Sequence, residues 1–202
     1  QKVNEQIRFH RAELLEWATA RRLPVSVEMF DEGDTGGHGL PSLGAALELG
    51  GVHDDVAADD RDGLLRAIVD RLPLPPDADR DFILDVFSAR ETLGSTGVGD
   101  GIAIPHVRSP MISAGRGPSV TLCFLQRPIA FGSPDGKPVE IVFSLVTPTI
   151  IVHLQLLAKL SWALHDGPFR DVVLKRAPAP EILAAAARVE ATFPHAQRAA
   201  KG

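Results

Sequence analysis

The chain of 202 residues has one cysteine, Cys123. A single thiol cannot close an internal disulfide, and that poverty fits a reducing cytoplasm. Cys123 stands in VTLCFL among strand-forming apolar residues, so it reads as buried filler rather than a nucleophile. No apolar run approaches the ~20 residues needed to span a bilayer, and no signal peptide opens the chain. The expectation is a cytoplasmic protein without membrane insertion. No internal repeat is visible. Charge is modest as well: 21 Lys+Arg against 26 Asp+Glu leave −5, which excludes a polyanion binder that uses its whole surface. The first 22 residues differ, with Lys2, Arg8, Arg11, Arg21 and Arg22 against Glu5, Glu13 and Glu16, a local basic excess. The chain begins at Gln1 without a methionine, as expected of a fragment whose beginning is missing.

What is present is ordinary for a globular chain: 45% hydrophobic and 23% charged residues, enough for one domain plus an appendage. FHRAELLEWATARRL spaces Leu14, Leu15, Trp17 and Ala18 for a helix that Pro24 stops. DEGDTGGHGLPS mixes acid, glycine and proline without periodicity, so the predicted organisation is an N-terminal segment over 1–30, a linker over 31–41 and a main domain over 42–202. Within that domain the patterns predict helices at 42–50, with Ser42 as N-cap, 60–72, 79–94, 150–166 and 179–193, and a further short helix in GPFRDVVLKR. Strands are expected at 51–58, 101–106, 119–125 and 140–148, with an Asp135-Gly136 turn before the last. Strands alternating with helices point to an α/β fold. The sheet should be mixed, because some connections are too short for a crossover helix.

Residues 94–110 read GSTGVGDGIAIPHVRSP. Four glycines, Gly94, Gly97, Gly99 and Gly101, and a proline precede one imidazole, His106. Pro105 fixes its own φ and lacks an N–H donor, which pushes His106 to the end of a strand. The glycines permit positive φ and close backbone approach, and so leave room for an anion beside the ring; Ser95 and Thr96 add hydroxyls. Metal binding would need further ligands at suitable spacing, and no His-x-x-x-His or paired cysteines stand nearby. A hydrolase elbow would need Gly-x-Ser-x-Gly, which GSTGVG lacks. Phosphoryl transfer through the imidazole is the third chemistry, and it requires a solvent-facing ring with one nucleophilic nitrogen, a fixed tautomer and donors around the transferred oxygens. Arg90, near a helix end, and His153, which opens the helix VHLQLLAKL, could supply those donors. The residues alone leave a second reading open: Arg90 pairs with Glu91 or a neighbouring acid, and His153 caps its helix. His10, His38, His53, His165 and His195 read as structural or surface residues, and Trp162 as core.

RETLGSTGVGDGIAIPH over 90–106, followed by HLQLLAKLSWAL over 153–164, resembles the enzyme IIA family of the phosphoenolpyruvate-dependent phosphotransferase system, in its fructose/mannitol and nitrogen-regulatory branch. The likeness spans roughly residues 40–195. It implies an α/β sandwich with a mixed, largely five-stranded sheet flanked by helices. It implies that His106 is the phosphorylated histidine, His153 the second active-site histidine and Arg90 the arginine facing the phosphoryl group, with Ser95, Thr96, Gly99 and Gly101 around the phosphate. The implied donor is an HPr-like phosphocarrier protein. The acceptor is a IIB cysteine in sugar-uptake members, or a target protein bound according to phosphorylation state in regulatory ones; no cofactor is called for. Apolar Ile150, Ile151 and Val152 depart from the polar residues usual ahead of the second histidine. IRFHRAELLEWA over 7–18 is similar to the closing wing and helix of excisionase-type, MerR-like winged helix DNA-binding domains, which implies DNA as a further partner through an upstream part. A regulatory phosphocarrier, a sugar-uptake component and a pure binding module remain the functions to separate.

Overall fold

The computed structural model describes residues 41–107 and 117–193, together with Lys2–Val3, Gln6–Ile7, Leu14, Trp17 and Ala18. The linker over 31–40, His10, His38, His195 and most of the segment that resembles a winged helix lie outside the described residues. Of that segment, β1 (Lys2–Val3) pairs antiparallel with β2 (Gln6–Ile7), and Leu14, Trp17 and Ala18 are helical.

The main unit runs α1 (Leu43–Gly50), β3 (Val52–Val56), α2 (Arg61–Val69), α3 (Arg80–Thr92), β4 (Gly97–Gly99), β5 (Ile102–Ala103), β6 (Ser119–Ile129), β7 (Val139–Val146), α4 (Ile150–His165), α5 (Gly167–Leu174) and α6 (Ala179–Glu190). Five strands form one mixed sheet, as expected, and their order is β3-β6-β7-β5-β4. β3 runs parallel to β6, and β5 parallel to β7; β6 with β7 and β4 with β5 are antiparallel.

Alternation along the strands builds two cores, because successive side chains leave opposite faces of a pleated sheet. Leu122, Phe124, Phe143, Leu145, Ile102 and Ile104 meet Leu43 and Leu47 of α1, Leu156, Leu157 and Leu160 of α4, Phe169 of α5 and Ile182 of α6. Cys123, Leu125, Val142, Val146 and Ala103 meet Leu64, Leu65 and Ile68 of α2 and Ile83 and Phe87 of α3. A sheet covered on both faces needs apolar residues at both parities, which is why β6 and β7 read as nearly continuous hydrophobic runs. Side-chain oxygens close the helix starts: Ser42 accepts from Ala45 N at 3.3 Å, Asp79 from Phe82 N at 2.9 Å and Thr149 from Val152 N at 3.2 Å. The Asp135-Gly136 turn forms, with Gly136 N donating to Ser133 O at 2.9 Å and Gly136 at φ 70°.

Three expectations change. Gly97–Gly99 is a strand, although glycine suppresses strand signal; it pairs Gly97 with Ala103. β6 continues past Leu125 to Ile129, with an irregularity around Pro128 that absorbs the missing donor. Trp162 is not core but 38% exposed, with its ring edge against Phe193 at 5.9 Å and its Nε1 donating to Thr192 Oγ1 at 3.4 Å.

Candidate functional site

β5 leads into the site. After Ala103 the chain stays extended to His106, which bridges in parallel to Leu145 of β7, so the imidazole stands where this strand leaves the sheet. Its side chain continues the parity of Ile102 and Ile104 and therefore faces α4. There it meets His153 in the first turns of that helix: the ring centroids lie 5.1 Å apart with planes tilted by 39°. His106 Nδ1 lies 2.6 Å from Ile104 O. A carbonyl oxygen only accepts, so this contact requires the proton on Nδ1 and leaves the lone pair on Nε2. One expectation fails here. The ring was to face solvent, yet His106 is 4% exposed and His153 2%, with the two rings against each other.

The loop before β4 is tied to the same strand. Ile104 N donates to Thr96 O at 2.9 Å, which sets the loop beside the residue that holds His106. Arg90, at the end of α3, reaches this loop through Nη1, which donates to Gly94 O at 3.0 Å. Glu91 is not its ion-pair partner: the buried Glu91 carboxylate accepts from Thr96 N at 3.0 Å and Thr96 Oγ1 at 2.8 Å. That staple was not legible in sequence, where Arg-Glu at a helix end suggests a surface pair.

The four residues expected around a phosphate have other tasks. Ser95 Oγ donates to Phe131 O at 2.6 Å and accepts from Gly97 N at 3.1 Å, so its hydroxyl proton holds the loop to the chain beyond β6. The Thr96 hydroxyl is committed to Glu91. Gly99 (φ 86°) and Gly101 (φ 74°) form the β4–β5 turn with Asp100 between them at φ 51°; Gly101 O accepts from Glu140 N and Ile141 N at 2.8 and 3.0 Å. Four residues, 102–105, separate Gly101 from His106, five steps of extended chain or roughly 16 Å. These two glycines thus shape the far end of β5 rather than a cradle at the imidazole. Gly97 serves packing: a Cβ there would lie 2.5 Å from Ser133 Oγ and 2.9 Å from Ser133 Cα.

Other candidates resolve simply. Cys123 is buried and desolvation pushes its thiol up to about 12 against an opposing effect of Arg71, so it is no nucleophile at neutral pH. His53 Nε2 lies 3.3 Å from Gly50 O, and His165 Nδ1 2.7 Å from Ser161 O in the last turn of α4. Among the described residues no three His, Cys, Asp or Glu side chains gather as a metal site, and no helix is long and apolar enough to cross a membrane.

A family model described as the phosphoenolpyruvate-dependent sugar phosphotransferase system, EIIA 2, matches residues 47–187. The chain belongs to this EIIA family. It is 39% identical over 110 residues to a nitrogen regulatory protein of Pseudomonas aeruginosa, an alignment that covers 54% of this chain and 69% of that protein. It is 35% identical over 99 residues to the fructose-specific EIIA component of Haloferax volcanii, covering 48% and 62% of the two. The crystal structure of nitrogen regulatory protein IIA-Ntr from Neisseria meningitidis superposes with a TM-score of 0.61 at 29% identity, covering 71% of this chain and 98% of that one. The mixed five-stranded sheet with flanking helices is therefore the EIIA architecture.

Proposed function

We propose that this EIIA domain is a phosphohistidine carrier in which His106 Nε2 accepts a phosphoryl group from the phosphohistidine of an HPr-like protein. The observation that carries this reading is the 2.6 Å contact of His106 Nδ1 with Ile104 O, which keeps the proton away from Nε2. In the step, the N–P bond of the donor imidazole breaks as a new bond forms between Nε2 and phosphorus. The Nδ1 proton stays against Ile104 O and supports the charge that the ring acquires. His153 would donate to a phosphoryl oxygen from 5.1 Å between ring centres, and Arg90, anchored at Gly94, would offset charge from the loop side. Low exposure of His106 has a consequence: Nε2 is itself covered, so acceptance requires the site to open as the donor docks.

The resulting charge of about −1.5 to −2 on a nearly covered surface changes what the domain binds, which suits a regulatory role. Likeness to nitrogen regulatory proteins supports regulation; likeness to a fructose-specific EIIA component supports the second reading, transfer onward to a IIB cysteine. The strand pair Lys2–Val3 and Gln6–Ile7, followed by helical Leu14 and Trp17, has the order of a wing and a helix and favours control of transcription by a DNA-binding part upstream.

Incubation with a phosphorylated HPr-like donor tests the carrier reading. The expected product is an acid-labile, base-stable phosphate whose phosphorus NMR signal is that of Nε2-phosphohistidine, absent in His106→Ala. No label from any such donor, or label on another residue, overturns it. DNA binding by a longer chain with and without the label separates regulation from uptake, in which a IIB cysteine instead drains the phosphoryl group.

A further inference from the structure

The face of the sheet turned away from His106 carries two buried hydroxyls in an otherwise apolar layer. Thr121 of β6 is 0% exposed and Ser144 of β7 1%. Neither Thr121 Oγ1 nor Ser144 Oγ has a hydrogen-bond partner among the described residues. The hydroxyls before β4 are committed, Ser95 to Phe131 O and Thr96 to Glu91, so these two stand apart. Shutting a hydroxyl away from water without a partner is costly, and folded chains therefore pair such atoms with protein or with ordered water.

Strand register brings the two together. Thr121 lies directly opposite Ser144 in the antiparallel β6–β7 pair. Both share the parity of Cys123, Val142 and Val146, so their side chains leave the sheet on the side of α2 and α3. Opposed residues on one face have Cβ atoms about 4.5–5.5 Å apart. Two Oγ atoms on such Cβ atoms, not bonded to each other, are spaced for a single water that reaches each at about 2.8 Å. Side chains in this row are also small. One step along from the pairs Val52–Leu122 and His106–Leu145, Gly51 stands beside Thr121 and Pro105 beside Ser144. Glycine, threonine, serine and proline thus lie side by side across the sheet, which leaves the depth that one water occupies.

We propose that a structural water is bound between Thr121 Oγ1 and Ser144 Oγ and links β6 to β7 in the row of Pro105, directly before His106. Two neutral hydroxyls in an apolar layer suit a neutral guest of one heavy atom that both donates and accepts. Each hydroxyl can turn to do either, so one molecule satisfies both. A crystal structure of the chain, at a resolution that shows ordered solvent, tests it together with a double-mutant cycle. Density is expected within hydrogen-bond distance of both Oγ atoms, and Thr121→Val, which keeps the side-chain shape, should lose it. Thr121→Val and Ser144→Ala should each lower the unfolding temperature by roughly 2–4 °C. The double variant should unfold no lower than the weaker single one, because the second hydroxyl has nothing left to lose. His106→Ala should keep the water, so failure of the carrier reading would leave this result standing. Direct contact of the two hydroxyls without density between them, either hydroxyl turned to a backbone carbonyl, or additive losses in the cycle overturns the proposal.

Discussion

The two ends of β5 are held by different physics. At the His106 end, buried side chains bond to backbone: Glu91 grips Thr96, Thr96 O takes Ile104 N, and Ile104 O takes His106 Nδ1. At the Gly101 end, exposed charges bond to one another, with Asp100 shared by Lys137 and Arg170, and with Asp135 accepting from Asp100 N at 2.8 Å. Buried bonds to backbone cannot exchange with water and fix a ring to fractions of an ångström; exposed ion pairs are screened and worth little each. A nucleophile that must keep one tautomer belongs at the first end. A turn that only has to close can rely on the second.

The largest way to break this contrast is at the ring itself. His106→Ala should abolish phosphoryl acceptance, and His153→Ala should slow it while leaving Nε2 of His106 labelled, both read by phosphate transfer from an HPr-like donor. Next comes the staple. Glu91→Ala leaves the buried Thr96 N and Oγ1 unpaired and should cost about 3 kcal/mol, lowering the unfolding temperature by about 6–12 °C. Transfer should slow at temperatures where the variant is still folded, because the loop that positions Ile104 loosens. An unchanged unfolding temperature would show that the staple does not hold the site.

Much of the fold is legible in the sequence because it rests on local periodicity. Leu64, Leu65, Ile68, Val69 and Leu72 recur at helical spacing and all lie in one core; Ser42 caps α1 as its place before an apolar run suggests. His106 and His153 are noticeable for the same reason, one after proline and one at a helix start. What the sequence hides are bonds across long separations. Glu91 with Thr96, Asp135 with Asp100, and Lys159 with Glu190 and Pro41 O leave no periodic trace. Hydroxyls mislead in the same way, since Ser95 and Thr96 look available in a glycine run until their partners Phe131 O and Glu91 are seen.

A third region sharpens the contrast through pH. Glu190 accepts from Lys159 Nζ at 2.5 Å, Ser42 Oγ at 2.9 Å and Leu43 N at 3.0 Å, so it clasps α1 to α4 and α6. Burial alone would raise its carboxyl, but the Lys159 bond and charge outweigh that and hold it below the ordinary 4.5. A depressed folded value means stability that is complete above the unfolded value and lost as pH falls through the folded one. Unfolding temperature should therefore decline below about pH 4.5 in the unsubstituted chain and decline less in Glu190→Gln, which begins lower by about 2 kcal/mol because Lys159 is left buried beside a neutral amide. Equal acid slopes in the two proteins would remove Glu190 from the account.

The smallest effects belong to the Gly101 end. Gly101→Ala places a Cβ at φ 74° and should cost about 1 kcal/mol, with phosphoryl transfer unchanged. Lys137→Met removes one cation from Asp100 at a side chain 60% exposed, while Arg170 remains on the same carboxylate. The expected change is within about 0.5 kcal/mol, and it should shrink further in high salt as the remaining attractions are screened. Urea unfolding at low and high ionic strength reads both. If Lys137→Met instead costs as much as Glu91→Ala, exposed charge rather than buried backbone bonding holds β5, and the contrast between its two ends fails.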